Sequence, residues 1–182
     1  AKLQSIERKQ GTPFFQLQHM LTTQLTDATR YPLKTRQIII LAPVGIRSEW
    51  PVSVTRGMLD QHVRQVVQPY GTYTFSKASH VSDMREKFTR VITAIDPAAG
   101  GANGDATAAV TMGTVNSMLY VLGVNAVPGG YNEDTLSRLA QMLQAYYPDS
   151  LVVEKNMGYG AYAVQFLPIA RQYLGDSLGF SE

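Results

Sequence analysis

An α/β fold with a mixed sheet is predicted by three observations. Short apolar runs of strand length recur after residue 90, with turn residues between them. Leu136, Leu139, Ala140 and Leu143 then recur at the helical period. A further run, Leu151-Val152-Val153-Glu154, follows that helix, so the chain returns to the sheet by a crossover.

Each element can be justified in order. Residues 91–96, Val91-Ile92-Thr93-Ala94-Ile95-Asp96, predict the first strand. A glycine-rich loop follows, and residues 106–112 predict a second strand. Residues 113–117 supply a turn into a third strand at 118–127. Asn132 is a predicted N-cap, with Glu133 and Asp134 in the positively polarised first turn. Pro148 stops that helix, residues 151–154 form the fourth strand, and residues 159–174 predict a last helix kinked at Pro168. The predicted order is three meandering strands, helix, fourth strand, helix.

The first half reads differently. Residues 14–25 predict a short helix with Phe14, Leu17, Leu21 and Leu25 on one face, and residues 57–68 a second, ended by Pro69-Tyr70-Gly71. Residues 72–75 predict a short strand. The boundary is placed at residue 90. Residues 1–90 are expected to be a mostly irregular and helical linker region, and residues 91–182 a second domain. Charge divides at the same place: residues 1–90 hold 13 Lys and Arg against 6 Asp and Glu, and residues 91–182 hold 3 against 8. A basic half joined to an acidic half suits a protein that holds a polyanion with one part and cations with the other.

Composition narrows the function classes. The apolar fraction of 45% supports a packed core, and no apolar run is long enough to span a membrane. The lack of cysteine excludes disulfides and thiolate metal sites. The chain opens without Met on a polar stretch, so a fragment of a longer polypeptide is expected.

Two acids carry the strongest chemical signal. Asp96 and Glu154 each end an apolar run, and each is followed by glycines. Parallel strands ending in carboxylates can bring hard oxygen ligands to one sheet edge, where a divalent metal can bind. Asp105 closes the glycine-rich loop, where a plain turn residue is the alternative. That loop is not a nucleotide P-loop: Gly104 is followed by Asp105 and no lysine is present. His19, His62 and His80 share no ligand spacing, and no Ser-His-Asp pattern is visible.

Three stretches resemble the large terminase subunit, the DNA-packaging motor of tailed bacteriophages, and especially that of short-tailed lytic phages. They are Phe15-Gln16-Leu17-Gln18-His19-Met20-Leu21 with Asp27-Ala28-Thr29-Arg30-Tyr31-Pro32-Leu33-Lys34; Ile95-Asp96-Pro97 with Gly104-Asp105; and Val153-Glu154-Lys155-Asn156-Met157-Gly158-Tyr159-Gly160. The resemblance implies a linker at 1–90 following a missing ATPase domain. It also implies an RNase H-like nuclease at 91–182 that stops before its last strand and helix. It implies an endonuclease that cuts concatemeric double-stranded viral DNA during packaging. Two divalent ions, Mg²⁺ or Mn²⁺, would sit about 3.5–4 Å apart, with no nucleotide bound by this segment.

By the same resemblance Asp96 is the bridging ligand, Glu154 the second, and Asp105 an acidic position in the turn. Arg30, Lys34, Arg36 and Lys155 are the DNA-binding candidates. Implied partners are duplex DNA, the portal protein, the small terminase subunit and further large-subunit copies, at the procapsid portal vertex in the host cytoplasm. The sequence departs from the family pattern at Ala98, Ala99, Ala102 and Asn103, where basic residues are common, and at Lys155 and Tyr159. The family's remaining catalytic acid falls beyond the expected end, leaving this chain weak or inactive alone; Asp176 and Glu182 are not assigned to that role. Two rival readings remain: a non-catalytic docking module of the motor, and another RNase H-like DNA enzyme of resolvase or transposase type.

Overall fold

The computed structural model describes residues 34–42, 45–57, 63–68, 71–100, 104–155 and 160–182. The expected helix at 14–25 and the candidate Arg30 lie outside these residues. Contacts divide the chain into two compact units, one built from residues up to 42 with 55–80, the other from 43–54 with 81–182.

In the first unit a single 3-10 turn, Thr35–Gln37, precedes strand β1, Ile39–Ile40. The expected helix over 57–68 is not formed by its described residues: Val63–Gln68 is strand β4. It pairs antiparallel with β5, Gly71–Val81, which runs well beyond the short strand expected at 72–75. Val63, Val66 and Val67 are β-branched and lose side-chain freedom in a helix, and the cross-strand register with 71–76 outweighs their helical spacing. β1 pairs with β5 in parallel, and β3, Val54–Arg56, completes this four-stranded sheet. The described part of the first half is therefore largely sheet rather than irregular and helical.

The second unit holds the expected α/β domain. Strands β7 (Arg90–Asp96), β8 (Thr107–Val115) and β9 (Met118–Val127) form an antiparallel meander. Its second hairpin closes on Asn116 and Ser117 alone, both at positive φ (44° and 64°), the pairing that a two-residue turn between twisted strands requires. Helix α1, Glu133–Gln144, is capped by the Asn132 side chain, which accepts from the Thr135 N–H at 3.0 Å. The helix crosses over to β10, Ser150–Val153, which lies parallel to β7. Helix α2, Ala161–Leu174, contains Pro168 and leads back to the sheet.

A fifth strand then appears. β11, Gly179–Ser181, pairs in parallel with β10, giving the order β11-β10-β7-β8-β9. The sequence reading stopped the sheet one strand short, because three residues carry no readable periodicity. This is the RNase H-like mixed sheet. Both helices pack on one face. Leu136, Leu139 and Leu143 of α1 and Tyr162, Ala163 and Phe166 of α2 bury against Ile95, Ala109, Leu151 and Val153. Each buried leucine contributes about 1.5–3 kcal/mol.

Residues 43–54 pack with this unit through aromatic rings. Trp50 lies 5.1 Å, centroid to centroid, from both Phe88 and Tyr120. The Tyr120 hydroxyl donates to the Pro51 carbonyl, and Asn116 Nδ2 donates to Val52 O at 3.2 Å. β2, Trp50–Pro51, and β6, Arg85–Glu86, form a small antiparallel pair beside them. Among the described residues no helix is long and apolar enough to cross a membrane.

Candidate functional site

The C-terminal ends of β7, β10 and β11 meet at one edge of the five-stranded sheet. Val153 pairs with Ile95, and the ladder runs one step further, with the Glu154 N–H donating to the Ile95 carbonyl at 2.9 Å. Alternation fixes the faces. Val91, Thr93 and Ile95 of β7, and Leu151 and Val153, are buried on the helix side. Asp96 and Glu154 follow the opposite parity, and both are exposed. The two acids thus belong to one face of neighbouring strands whose backbones run about 4.8 Å apart.

Asp96 shares a cavity of about 340 Å³ with Asp105, walled by Pro97, Ala98, Ala99 and Gly100. The loop between the two acids is pinned at both ends. Ala98 N–H donates to the buried Thr107 Oγ1 at 3.0 Å, where β8 begins. Gly100 (φ +77°) lies against Gly130 (φ +74°); a Cβ on Gly100 would come within 2.5 Å of Gly130 N. The small residues let the two loops touch.

Tyr162 of α2 lies near Thr107, where β8 begins. Its ring stands at 90° to Tyr131, 5.9 Å between centroids. Its hydroxyl is buried, and among the described residues none forms a hydrogen bond with it. Burial pushes it up to about 12; Thr107, the one group that works against this, is near enough to lower it somewhat but forms no well-directed bond.

Lys155 follows Glu154 on the opposite parity, and its ammonium pairs with Glu182 Oε2 at 3.2 Å. Glu182 follows β11, the strand absent from the sequence reading, and no spacing rule pointed to it. Lys34 and Arg36 lie in the other unit. Among the described residues, no three His, Asp or Glu side chains are placed to hold a metal ion together. The oxygen donors present still fit a hard cation, since Mg²⁺ commonly takes one or two protein carboxylates and fills its shell with water and phosphate oxygens.

Residues 95–177 match the family of the bacteriophage T7 terminase ribonuclease H-like domain. Over this segment the chain is similar to a terminase RNase H-like domain. The large terminase subunit of enterobacteria phage T3 is 28% identical over 171 residues, which are 92% of this chain and 28% of that relative. The chain therefore spans less than a third of the length of the curated relative it matches. Among solved structures, the human cytomegalovirus terminase nuclease domain, Mn-soaked and inhibitor-bound, aligns with 51% of this chain and 46% of its own, at 20% identity and a TM-score of 0.38. The Aquifex aeolicus PPX-GPPA enzyme aligns with 50% of this chain and 36% of its own, at 12% identity and a TM-score of 0.31. The sequence match carries the family. The matched stretch begins at Ile95, one residue before Asp96, and includes Asp105 and Glu154.

Proposed function

We propose that this chain supplies the endonuclease centre of a phage packaging terminase and cuts concatemeric double-stranded DNA with the help of divalent metal ions. The observation that supports it best is the placement of Asp96 and Glu154 on one face of adjacent parallel strands, inside the segment that matches the terminase family. In this reading Asp96 is the shared ligand, Glu154 the second, and Asp105 an outer ligand across the cavity from Asp96. The bound metal supplies an activated water and neutralises the leaving oxygen.

The chain's own residues do the rest. Asp96 and Glu154 concentrate negative charge at a strand edge that cannot collapse, because the ladder fixes both backbones. The small walls of the 97–106 loop leave room for a phosphodiester to approach. The Lys155–Glu182 pair anchors the segment after Glu154 to the last strand. Arg30, Lys34, Arg36 and Lys155 are the residues proposed to face DNA. Residues 1–90 act as the linker from an ATPase domain, and the full motor works at the portal vertex in the host cytoplasm with the portal, the small subunit and further copies.

A plasmid-cleavage assay tests the centre. The chain in Mn²⁺ should cleave supercoiled DNA slowly, as expected without the family's remaining acid, and Asp96→Asn and Glu154→Gln should each lower that rate about tenfold or more, while EDTA abolishes it. Equal cleavage by parent and both variants would remove these acids from the chemistry.

A further inference from the structure

The first unit contains a cavity of about 360 Å³ that the nuclease centre does not use. Lys34, Arg36 and Arg56 line it, with Gln37, Gly57 and Ser76. Among the described residues that line it, none is acidic. Lys34 and Arg36 of one turn and Arg56 of a separate strand thus border one concavity, an arrangement that suits an anion.

The gathering is built by β5. Ser76 N–H donates to Ile38 O at 2.9 Å, and its hydroxyl to Arg36 O at 2.7 Å, so one β5 residue holds the turn that carries Lys34 and Arg36. Gln37 Oε1 accepts the Lys34 N–H at 2.8 Å and closes that turn. On the other side Gly57, next to Arg56, donates its N–H to Lys77 O at 3.1 Å. Consecutive residues of one strand therefore position both cationic arms. Ser76 and Gly57 form a buried floor whose hydrogen bonds are already spent, while the three cations stand exposed at the rim. Binding would come from rim charge rather than from a backbone nest. Arg36 and Arg56 each hold a further contact. A guanidinium has five N–H donors, so it can keep one partner and turn others onto a phosphate oxygen.

We infer that this cavity is a phosphate-binding site, with Lys34, Arg36 and Arg56 clamping an oxyanion of the DNA backbone. The assignment deepens the DNA-contact reading of the first half and rests on it. It does not depend on the nuclease centre, because it needs no metal. The same chemistry would also take a free polyphosphate, so the test separates the two sources.

The experiment follows amide resonances of Gly57 and Ser76 in ¹⁵N-labelled full chain, in EDTA. Pyrophosphate is added in one arm and a short duplex in the other. Both should shift these resonances saturably, the duplex at far lower concentration. Lys34→Ala/Arg56→Ala should lose both responses, and fluorescence anisotropy should show its log–log salt slope on duplex reduced by about 0.9, the value for one lost phosphate contact. Arg171→Ala, an exposed α2 residue, should leave slope and shifts unchanged. Saturation by pyrophosphate with no response to duplex would uphold the oxyanion site and overturn DNA as its source. No response to either ligand, or a double variant that behaves as the parent, would overturn the site. Every reading is taken in EDTA, where the cleavage assay has no signal, so failure here is distinct from failure of the cleavage assay.

Discussion

Asp96 and Glu154 stand one register step beyond the Ile95–Val153 pair of two parallel strands, on the face away from the helices. Asp105, by contrast, reaches from a loop the cavity that Asp96 lines. A strand-end carboxylate is held by its ladder, whereas a loop carboxylate must be ordered on binding and gives back part of its energy as entropy. Asp96→Asn should therefore weaken Mn²⁺ binding more than Asp105→Asn does, by about tenfold or more. Calorimetric titration of Mn²⁺ into both variants checks the ranking, and equal losses would show that the loop acid matters as much as the strand acid.

The loop between them should be sensitive to one methyl group. Gly100 has φ +77°, and a Cβ there would press on the backbone of Gly130 rather than on a flexible side chain. Gly100→Ala must strain its own backbone, at about 1–3 kcal/mol, or separate the two loops. Urea unfolding should show a loss of that order, and Mn²⁺ affinity should fall with it as Asp96 and Asp105 move apart. Unchanged stability would mean that the 97–104 and 128–131 loops do not need their contact.

Much of this domain was legible because its signals are local. Asn132 followed by Glu133 and Asp134 marks a helix start by capping chemistry, and that helix begins at Glu133. Met118 to Val127 is a mostly apolar run of strand length after a turn, which gives the third strand its observed bounds. The failures share a cause too. Val63, Val66 and Val67 have helical spacing, yet a partner strand at 71–76 decides their conformation, and that pairing leaves no trace within a short window. Gly179–Ser181 is a strand only because β10 lies beside it, so Glu182 and its pairing with Lys155 could not be anticipated. The cluster of Trp50, Phe88 and Tyr120 joins residues 70 positions apart and ties residues 43–54 to the second unit, across a boundary that charge alone would draw at 90. Asp96 and Glu154 were visible because strand-end acids need no long-range information to be noticed; which cavity each one faces does.

Tyr162 gives the protein a pH dependence that a single substitution should remove. Its hydroxyl is buried, and burial, partly offset by Thr107, raises it from 10.0 to about 12 in the folded chain. The folded state thus favours the neutral phenol more than the unfolded state does. The resulting stability is fully present below pH 10 and is lost as pH rises from 10 through 12. Two units correspond to about 3 kcal/mol at most. At pH 7 the same hydroxyl is buried with no hydrogen-bond partner among the described residues, so Tyr162→Phe should be neutral or stabilising by up to about 1 kcal/mol. Urea unfolding at pH 7 and again near pH 11 measures both effects. The variant should equal or exceed the parent at pH 7 and lose less stability at the higher pH. It should keep the part of the decline that comes from other groups, such as Tyr120, whose phenol is also raised by burial against a lowering pull from Arg85. Parallel losses in parent and variant would show that Tyr162 is not the group that burial holds protonated.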